Sequence, residues 1–183
     1  MFIAHLPAGY LISKAMVGMN HLRRLSQHAK RRLVVAGMIG AIIPDIDLLY
    51  FYLIDHRQHG HHSYWTHLPI FWVVAMLIWA VLFWNRSRTW FWLGTVFGSS
   101  ALGHMVLDST AGGIRWLYPV SLEYFRLAHV QAGQSWWVMN FVLHWTFWLE
   151  IVIVASAGLV FLWSRRAGYI CMAGKSDLYS LYR

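Results

Sequence analysis

The chain has 183 residues, of which 58% are hydrophobic and only 12% are charged, and its formal net charge is +8. Soluble domains average about a quarter charged residues, so this composition excludes a disordered chain, a coiled coil and an ordinary soluble enzyme. The single cysteine excludes a disulfide framework, so any metal ligands must come from the eleven histidines and seven acids. The basic surplus comes without a base-reading helix or an aromatic RNA-binding stripe, and we expect no direct nucleic-acid partner.

Four long apolar stretches follow one another, at residues 33–54, 68–84, 90–107 and 136–163. A helix needs about 20 apolar residues to cross the hydrocarbon region, so each stretch is a candidate membrane helix. Residues 1–20 are a weaker fifth candidate, interrupted by Pro7, Gly9 and Lys14, and they lack the pattern of a signal peptide. We therefore predict an all-α, multi-pass membrane bundle of four to five helices. It forms one domain over residues 1–183, with a C-terminal helix and basic tail at 136–183.

Basic residues predict the orientation of these helices. Eleven of the fifteen lysines and arginines lie in segment 21–32, in turn 85–89 and in the tail 164–183, whereas loops 55–67 and 108–135 hold three. The positive-inside rule then places the turn and the C-terminal tail in the cytoplasm and the two loops outside a bacterial inner membrane. The alternative, basic runs that only solvate helix ends, does not predict such a split. The N-terminus lies outside if residues 1–20 span, and inside if they rest in the interface.

Two aspartates interrupt the first long stretch. Asp45 and Asp47 follow Pro44, and an ionised aspartate at the bilayer centre costs about 2.5–3.5 kcal/mol, so such residues indicate function. On a regular helix they would point to different faces, but Pro44 disturbs the preceding turn and lets the helix open. Both carboxylates can then enter one pocket, because irregular backbone within a membrane survives where it lines a cavity. The alternative is a pair of carboxylates solvated at a helix break near the interface.

Loop 55–67 is rich in histidine, the commonest metal ligand. A His-rich tract is also typical of a plain solvated loop, and counting does not decide which histidines matter. The loop contains five of them: His56, His59, His61, His62 and His67.

His104 and Asp108 lie four residues apart and therefore share one face of the third long stretch. They suit two ligands of one metal, a ligand with its orienting carboxylate, or a buried pair that satisfies itself. With the predicted orientation, the candidate residues of all three stretches fall into one zone near the outer face. A mixed His/Asp set without cysteine suits Zn²⁺, Mn²⁺ or Fe²⁺, and six ligands suffice for two ions. The six are Asp45, Asp47, His62, His67, His104 and Asp108.

These motifs, over residues 1 to about 120, resemble those of the YdjM family of inner-membrane-associated, metal-dependent hydrolases. The matching residues are His5, then Pro44, Asp45 and Asp47, then His62, Thr66 and His67, then Gly103, His104 and Asp108, followed by Thr110, Gly112 and Pro119. That family is distantly similar to the zinc-dependent phospholipase C and P1 nuclease group, all-helical enzymes in which a His-x-x-x-Asp pair holds zinc. One departure is Leu68, where family members commonly have serine. The family's association with the LexA repressor implies a cytoplasmic protein partner, for which the basic segment 21–32 is the best surface.

The resemblance and the residues together predict hydrolysis of a phosphoester or diphosphate of a lipid substrate at the outer face, through a metal-activated water. We expect one or two zinc ions, or manganese, on the six ligands above with His5 in addition, and catalytic roles for Asp45, Asp47, His104 and Asp108. Arg57 and Arg115 are expected to bind the substrate phosphate. Two alternatives stay open. One is a haem protein that uses His104 and His144. The other is a non-catalytic regulatory or metal-binding membrane protein.

Overall fold

The computed structural model of the protein describes residues 3–20, 22–128, 130 and 137–180, with the side chains of Trp137 and 167–180 excepted. The predicted all-helical class is confirmed for these residues, which contain no strand and a single isolated bridge between Ile114 and Phe125. Three short 3₁₀ turns occur at Ile43–Ile46, His61–Ser63 and Trp65–His67. The seven α-helices are α1 (His5–Val17), α2 (Gln27–Gly40), α3 (Asp47–Leu53), α4 (Pro69–Phe83), α5 (Arg88–Asp108), α6 (Trp137–Val142) and α7 (Thr146–Ser180).

The first long apolar stretch is a bent pair of helices. The segment Gln27–Gly40 meets the segment Ile43–Leu53 at an angle of 50°. Pro44, buried at the bend, has no N–H to donate, and the N–H of Asp45 donates to the carbonyl of Ile42 at 3.2 Å. The carbonyl of Ala41 is therefore left without a backbone donor from the next turn. The bend places Asp45 beside the end of α5, with its Oδ1 3.6 Å from the Nε2 of His104.

Close contact between α1 and α2 fixes the position of the bend. A Cβ atom on Gly9 would lie 2.5 Å from the carbonyl oxygen of Gly37 and 2.5 Å from the Cβ of Ala41, so only glycine fits at this crossing. Gly37 in turn faces Ser13, which is fully buried. Small residues of this kind allow helix backbones to approach closely, which is how helices pack within membranes. The same contacts hold the N-terminal end of α1 next to the site.

Helix α7 is attached to the start of α1 through a buried acid. The carboxylate of Glu150 accepts a hydrogen bond from the N–H of Ile3 at 2.7 Å, and the Glu150 side chain is almost completely buried. A carboxylate is favourable there because the first N–H groups of a helix carry partial positive charge. The fourth apolar stretch is divided into α6 and α7 rather than continuous. Its first residue, Trp136, lies outside the described residues, as do the side chains of Lys175 and Arg183 in the predicted basic tail.

Helix length and composition identify fewer spans than the sequence predicts. Within the described residues one helical segment, Thr146–Arg166, is long and apolar enough to cross a membrane, and the bent pair Gln27–Gly40 with Ile43–Leu53 adds a second if it forms one span. Helix α4 is apolar but has 15 residues, about 22 Å of helix. Helix α1 has 13 residues. The number of spans and the single domain therefore stay predictions.

Candidate metal centre

The end of α5 presents His104 and Asp108 to the interior. Both are about 1% exposed, and the Nε2 of His104 lies 3.0 Å from the Oδ2 of Asp108. On its other side, the Nδ1 of His104 lies 2.7 Å from the carbonyl oxygen of Ala41. Since a carbonyl only accepts hydrogen bonds, Nδ1 carries the hydrogen in this contact. In the neutral imidazole, the lone pair of Nε2 therefore points at the carboxylate.

His67 is held in the same way from the opposite side. Its Nδ1 lies 2.7 Å from the Oδ2 of Asp47, and the hydroxyl of Thr66 donates a hydrogen bond to the same oxygen. Its Nε2 lies 3.7 Å from both the Oδ1 of Asp45 and the Oδ2 of Asp108. The Asp47 carboxylate thus orients His67 from behind and does not share the space in front of its Nε2.

Four donor atoms converge in front of these two histidines, and all lie within 4.8 Å of one another. Between the histidine nitrogens and the carboxylate oxygens the distances run from 3.0 to 3.7 Å. Four ligands about 2.0–2.1 Å from a tetrahedral ion lie about 3.3 Å apart, so the spacing fits a divalent metal such as zinc. The Nε2 atoms of His67 and His104 are buried without a hydrogen bond, which a metal would explain. The four residues, called the four-donor set below, are Asp45, His67, His104 and Asp108.

A second group of possible ligands adjoins the first and shares one member with it. His61, His62 and His67 also place one donor atom each within 4.8 Å of the others. His62 lies against Asp108, with its Nε2 3.3 Å from Oδ2. A Cβ atom on Gly112 would lie 2.6 Å from the Nδ1 of His62, so the missing side chain at residue 112 makes room for this ring. Whether one or two ions bind stays a prediction.

His61 belongs to the site although no sequence pattern distinguishes it from the other histidines of the loop. Its Nε2 lies 3.1 Å from the Oδ1 of Asp45 and its Nδ1 lies 3.0 Å from the Oδ1 of Asp47. It therefore connects the two aspartates of the bend. Two neighbouring histidines of the same loop, His61 and His62, face different carboxylates, a difference that depends on the 3₁₀ turn at His61–Ser63 and not on spacing.

His5 lies behind the four-donor set and outside both groups. Its Nε2 is 3.2 Å from the Oδ1 of Asp108, and its ring stacks on that of His104 with centroids 3.7 Å apart. Asp108 thus contacts His5 through one oxygen and His104 through the other. The start of α1 therefore lies at the candidate site, beside two of its four donors, and a role of His5 as a metal ligand stays a prediction.

The loop histidines show that the carboxylates of the site attract positive charge. Burial on its own lowers the pKa of His67, but the nearby carboxylates of Asp108, Asp45 and Asp47 outweigh it and raise the pKa to about 10. Burial likewise lowers the pKa of His61, and its hydrogen bonds with Asp45 and Asp47 raise the pKa overall. Three carboxylates gathered in a buried space therefore favour a cation, either a proton or a metal ion.

Comparison with known proteins identifies the family of the chain. The YdjM inner membrane protein family matches residues 1–175. The chain belongs to the YdjM family. Inner membrane protein YbcI of Escherichia coli (strain K12) is 35% identical to this chain over 103 residues, which cover 51% of the chain and 57% of YbcI. No solved structure matches the chain significantly.

Family membership confirms the resemblance drawn from the motifs and supports location at the inner membrane. The family match extends beyond the motifs at residues 1 to about 120 as far as residue 175, and so includes most of α7. Short motifs mark the ligand-bearing part of a YdjM-family chain, but the last helix carries no comparable pattern of polar residues. Its assignment to the family therefore rests on the match over residues 1–175 and not on a motif.

One of the two predicted phosphate-binding arginines lies beside the metal centre of this YdjM-family protein. Arg57 lines a cavity of about 560 Å³ together with Asp45, His61, His62 and Asp108. Its backbone is in the left-handed region, with φ of 64°, and its guanidinium lies over the ring of Tyr52. Arg115 stacks instead on Tyr124, with the guanidinium carbon 4.4 Å from the ring centroid, and is not among the described residues that line this cavity.

The two histidines of the haem alternative have other contacts. His104 is hydrogen-bonded to the carbonyl of Ala41 and is itself a member of the four-donor set. The Nδ1 of His144, in the link between α6 and α7, lies 2.9 Å from the hydroxyl of Thr146. These contacts give the haem alternative no support.

Proposed function

We propose that this YdjM-family protein is a multi-pass, metal-dependent hydrolase that cleaves a phosphoester or diphosphate of a lipid at the outer face of the inner membrane. One observation carries the proposal. In the four-donor set, each histidine turns Nε2 toward two carboxylates and is held from behind through Nδ1, by Asp47 or by the Ala41 carbonyl. Metal-ligating histidines typically have such an outer partner, which fixes their tautomer.

The residues present fit zinc best, with manganese as the second choice. Two imidazoles and two carboxylates form a mixed nitrogen and oxygen set, which suits Zn²⁺ and Mn²⁺ more than Ca²⁺ or Mg²⁺. Asp45, His67, His104 and Asp108 would hold the ion, and His62 lies next to them as a ligand for a second ion. When bound, the metal would act as a Lewis acid, which activates water near neutral pH and stabilises negative charge on a phosphoryl oxygen.

The distribution of polar residues supports a multi-pass arrangement with the C-terminus in the cytoplasm. The start of α1, the bend after α2, the start of α4 and the end of α5 all meet at the metal centre, which therefore lies at one end of the bundle. The opposite ends carry the basic segment 21–32 and the basic turn 85–89. This separation agrees with the positive-inside rule. Helices shorter than the bilayer can be accommodated by local thinning.

The cavity beside the metal centre supports a lipid phosphate as the substrate. One wall contains the ligands and Arg57, whose guanidinium suits a phosphate through two parallel hydrogen bonds. The remaining wall is mainly apolar and contains Leu48, Phe51, Tyr52 and Phe141. A phosphate held between the ligands and Arg57 would therefore have its apolar substituent against these side chains. A phosphate without an apolar substituent would make no contact with these side chains and would gain no binding energy from them.

His61 is the group placed to move a proton during the reaction. Its imidazole lines the same cavity as Arg57, and 22% of its side chain is exposed. It contacts Asp45 and Asp47 and so lies next to the four-donor set. It is not a member of that set. An imidazole at this position can protonate the leaving oxygen of a bound phosphoester.

The first experiment measures the metal content of the full-length protein, purified in a non-ionic detergent and reconstituted with zinc or manganese. We expect one or two equivalents in the wild type and in His28→Ala, a control on the exposed start of α2, and a loss of metal in His104→Ala. The absence of metal from the wild type after reconstitution with both ions would overturn the proposal.

The second experiment tests the reaction with defined substrates. The metal-loaded protein is incubated with phospholipids and polyprenyl diphosphates in mixed micelles, and released phosphate or phosphorylated headgroup is quantified. We expect turnover that is abolished by a chelator and by His104→Ala, and retained in His28→Ala. Bound metal without turnover on any of these substrates would leave a metal-binding protein and would refute the hydrolase.

A further inference from the structure

A second cavity, independent of the metal centre, lies at the opposite end of the bundle between α1, α2 and α7. It has a volume of about 460 Å³. Each helix contributes one face: Tyr10, Lys14 and Val17 from α1, Gln27, Lys30, Arg31, Val34 and Val35 from α2, and Phe161, Ser164 and Arg165 from α7. Residues 10 to 14 of α1 are about 8–14 Å along the helix from His5.

Four cations line this cavity, and none of the described residues that line it is an acid. Lys14, Lys30, Arg31 and Arg165 form no ion pair with any acid whose side chain the structure describes. Lys30 donates to the carbonyl of Arg23 at 2.8 Å, and Arg165 stacks on Phe161. In addition, α2 begins here without an acidic residue in its first turn. The partial positive charge at the start of a helix adds to the four cations, so the arrangement is repulsive without an anion.

The cavity is polar at one end and apolar at the other. Helices α1 and α7 run away from the metal-centre end of the bundle and α2 runs toward it. On α2 and α7 the polar residues of the cavity therefore lie nearer the predicted cytoplasmic surface and the apolar residues lie deeper. Gln27 precedes Val34 and Val35 on α2, and Arg165 follows Phe161 on α7. Tyr10 and Phe161 close the deeper end, with ring centroids 6.3 Å apart.

We propose that this cavity binds an anionic phospholipid of the cytoplasmic leaflet. The phosphate lies among Lys14, Lys30, Arg31 and Arg165, and the first part of the acyl chains packs on Val34, Val35 and Phe161. Basic pockets between membrane helices on the cytoplasmic side are suited to anionic headgroups. A free phosphate would bind the cations but would leave Val34, Val35 and Phe161 uncovered. The lipid therefore fits the whole cavity, and it would join α7 to the α1–α2 pair.

The test uses the full-length protein in dodecyl maltoside and follows its thermal unfolding as ligand is added. The ligands are dioctanoyl phosphatidylglycerol, dioctanoyl phosphatidylcholine and inorganic phosphate. We expect a saturable rise of the unfolding temperature with phosphatidylglycerol alone. The variant Lys14→Gln/Arg31→Gln should weaken its apparent affinity by about tenfold or more. The control Arg24→Gln/Arg86→Gln removes the same charge from exposed positions outside the cavity and should retain wild-type affinity.

A cavity-filling variant tests the same site without removing charge. Val35 is 53% exposed, so tryptophan is tolerated at this position, and Val35→Trp should also weaken the binding of phosphatidylglycerol. This variant remains informative if the charge variant does not fold. Equal effects of the two lipids, equal losses in the control variant, or full binding by Val35→Trp would each overturn the proposal. A rise with inorganic phosphate as large as that with phosphatidylglycerol would refute the lipid and indicate a free-anion site.

Discussion

The imidazole of His104 and the carbonyl of Ala41 are joined by a hydrogen bond of 2.7 Å across 63 residues of sequence. The bond exists because the chain bends after α2. Pro44 has no N–H to donate, and the N–H of Asp45 bonds to Ile42. The break that brings Asp45 to the metal centre thus also frees the carbonyl that orients His104. One local feature of the sequence thus supplies both a candidate ligand, Asp45, and the support of another, His104.

Replacing Asp47 with alanine should weaken metal binding without abolishing it. The Asp47 carboxylate bonds to the Nδ1 of His67 and lies outside the four-donor set. Loss of such a supporting partner typically costs 10–100-fold in metal affinity. We expect a drop of that size in a zinc competition titration with a chelator, against a complete loss in His104→Ala.

Asp55→Ala is the matched control, because Asp55 lies in the same region but bonds to His59 and not to the metal centre. If Asp47→Ala removed metal as completely as His104→Ala, Asp47 would be a ligand and not a support. If it had no effect, the Nδ1 contact of His67 would be unimportant for binding.

Part of the site follows from sequence patterns that have a direct geometric meaning. His104 and Asp108 share a helix face because they are four residues apart, and the structure places them 3.0 Å apart. The break at Pro44 was expected because proline cannot donate to the helix, and a 50° bend occurs there. In both cases a local rule acts on residues close in sequence.

The rest depends on loop geometry and on contacts between distant segments, which local rules do not determine. Two neighbouring imidazoles of the loop face different carboxylates, since His61 contacts Asp45 and Asp47 whereas His62 contacts Asp108. The carbonyl of Ala41 is an ordinary backbone group whose role appears only when α5 packs on the bend. For the fold, composition predicts the helices but not the interruption of the last apolar stretch between α6 and α7.

Replacing Gly112 with alanine should displace His62. The added Cβ would overlap the His62 ring, which lies 3.3 Å from Asp108 through Nε2. Misplacement of a catalytic group by about 1 Å can cost about 100-fold in rate, so we expect a loss of hydrolysis of that order. Turnover of the lipid substrate by the metal-loaded variant is the measurement.

Gly60→Ala provides the control for this prediction, since a Cβ at residue 60 meets nothing within 4 Å and the residue lies in the same His-rich loop. It should keep wild-type turnover. Wild-type turnover in Gly112→Ala as well would show that His62 takes no part in the reaction.

Arg57 and Arg115 should differ as phosphate-binding residues. Arg57 lines the cavity of the metal centre, whereas Arg115 lies on Tyr124. Lysine keeps the charge but loses the planar fork that binds phosphate through two hydrogen bonds. We expect Arg57→Lys to raise KM about tenfold or more and Arg115→Lys to leave it unchanged, in assays on the same lipid. The reverse pattern would contradict the placement of the phosphate.

Metal binding should release protons at neutral pH. The carboxylates raise the pKa of His67 to about 10, so its imidazole is protonated in the metal-free protein below that pH. A metal needs the Nε2 lone pair, and the proton must leave when the ion binds. Metal affinity should therefore rise with pH up to about 10. Calorimetry of zinc binding at pH 7 in buffers of different ionisation enthalpy measures the released protons, and a value of zero would contradict the prediction.

The stability of the metal-free protein should change with pH in the opposite direction. A histidine whose pKa is raised by folding contributes stability that is complete below its unfolded pKa of about 6.5 and is lost as pH rises through the folded value of about 10. Thermal unfolding of the metal-free protein should thus shift to lower temperature between pH 6.5 and 10. His67→Ala should remove most of this dependence.

Replacing Gly9 with alanine should separate α1 from α2 and so disturb the site from a distance. The new Cβ would lie 2.5 Å from the backbone oxygen of Gly37, which cannot turn aside as a side chain can. Overpacking of this kind costs about 1–3 kcal/mol, and the shift also moves Ala41, which orients His104. We expect a lower unfolding temperature in detergent together with weaker zinc binding. Gly158→Ala on α7 meets nothing within 4 Å and should leave both unchanged. A destabilised Gly9→Ala variant with wild-type zinc affinity would show that the metal centre does not depend on this helix crossing.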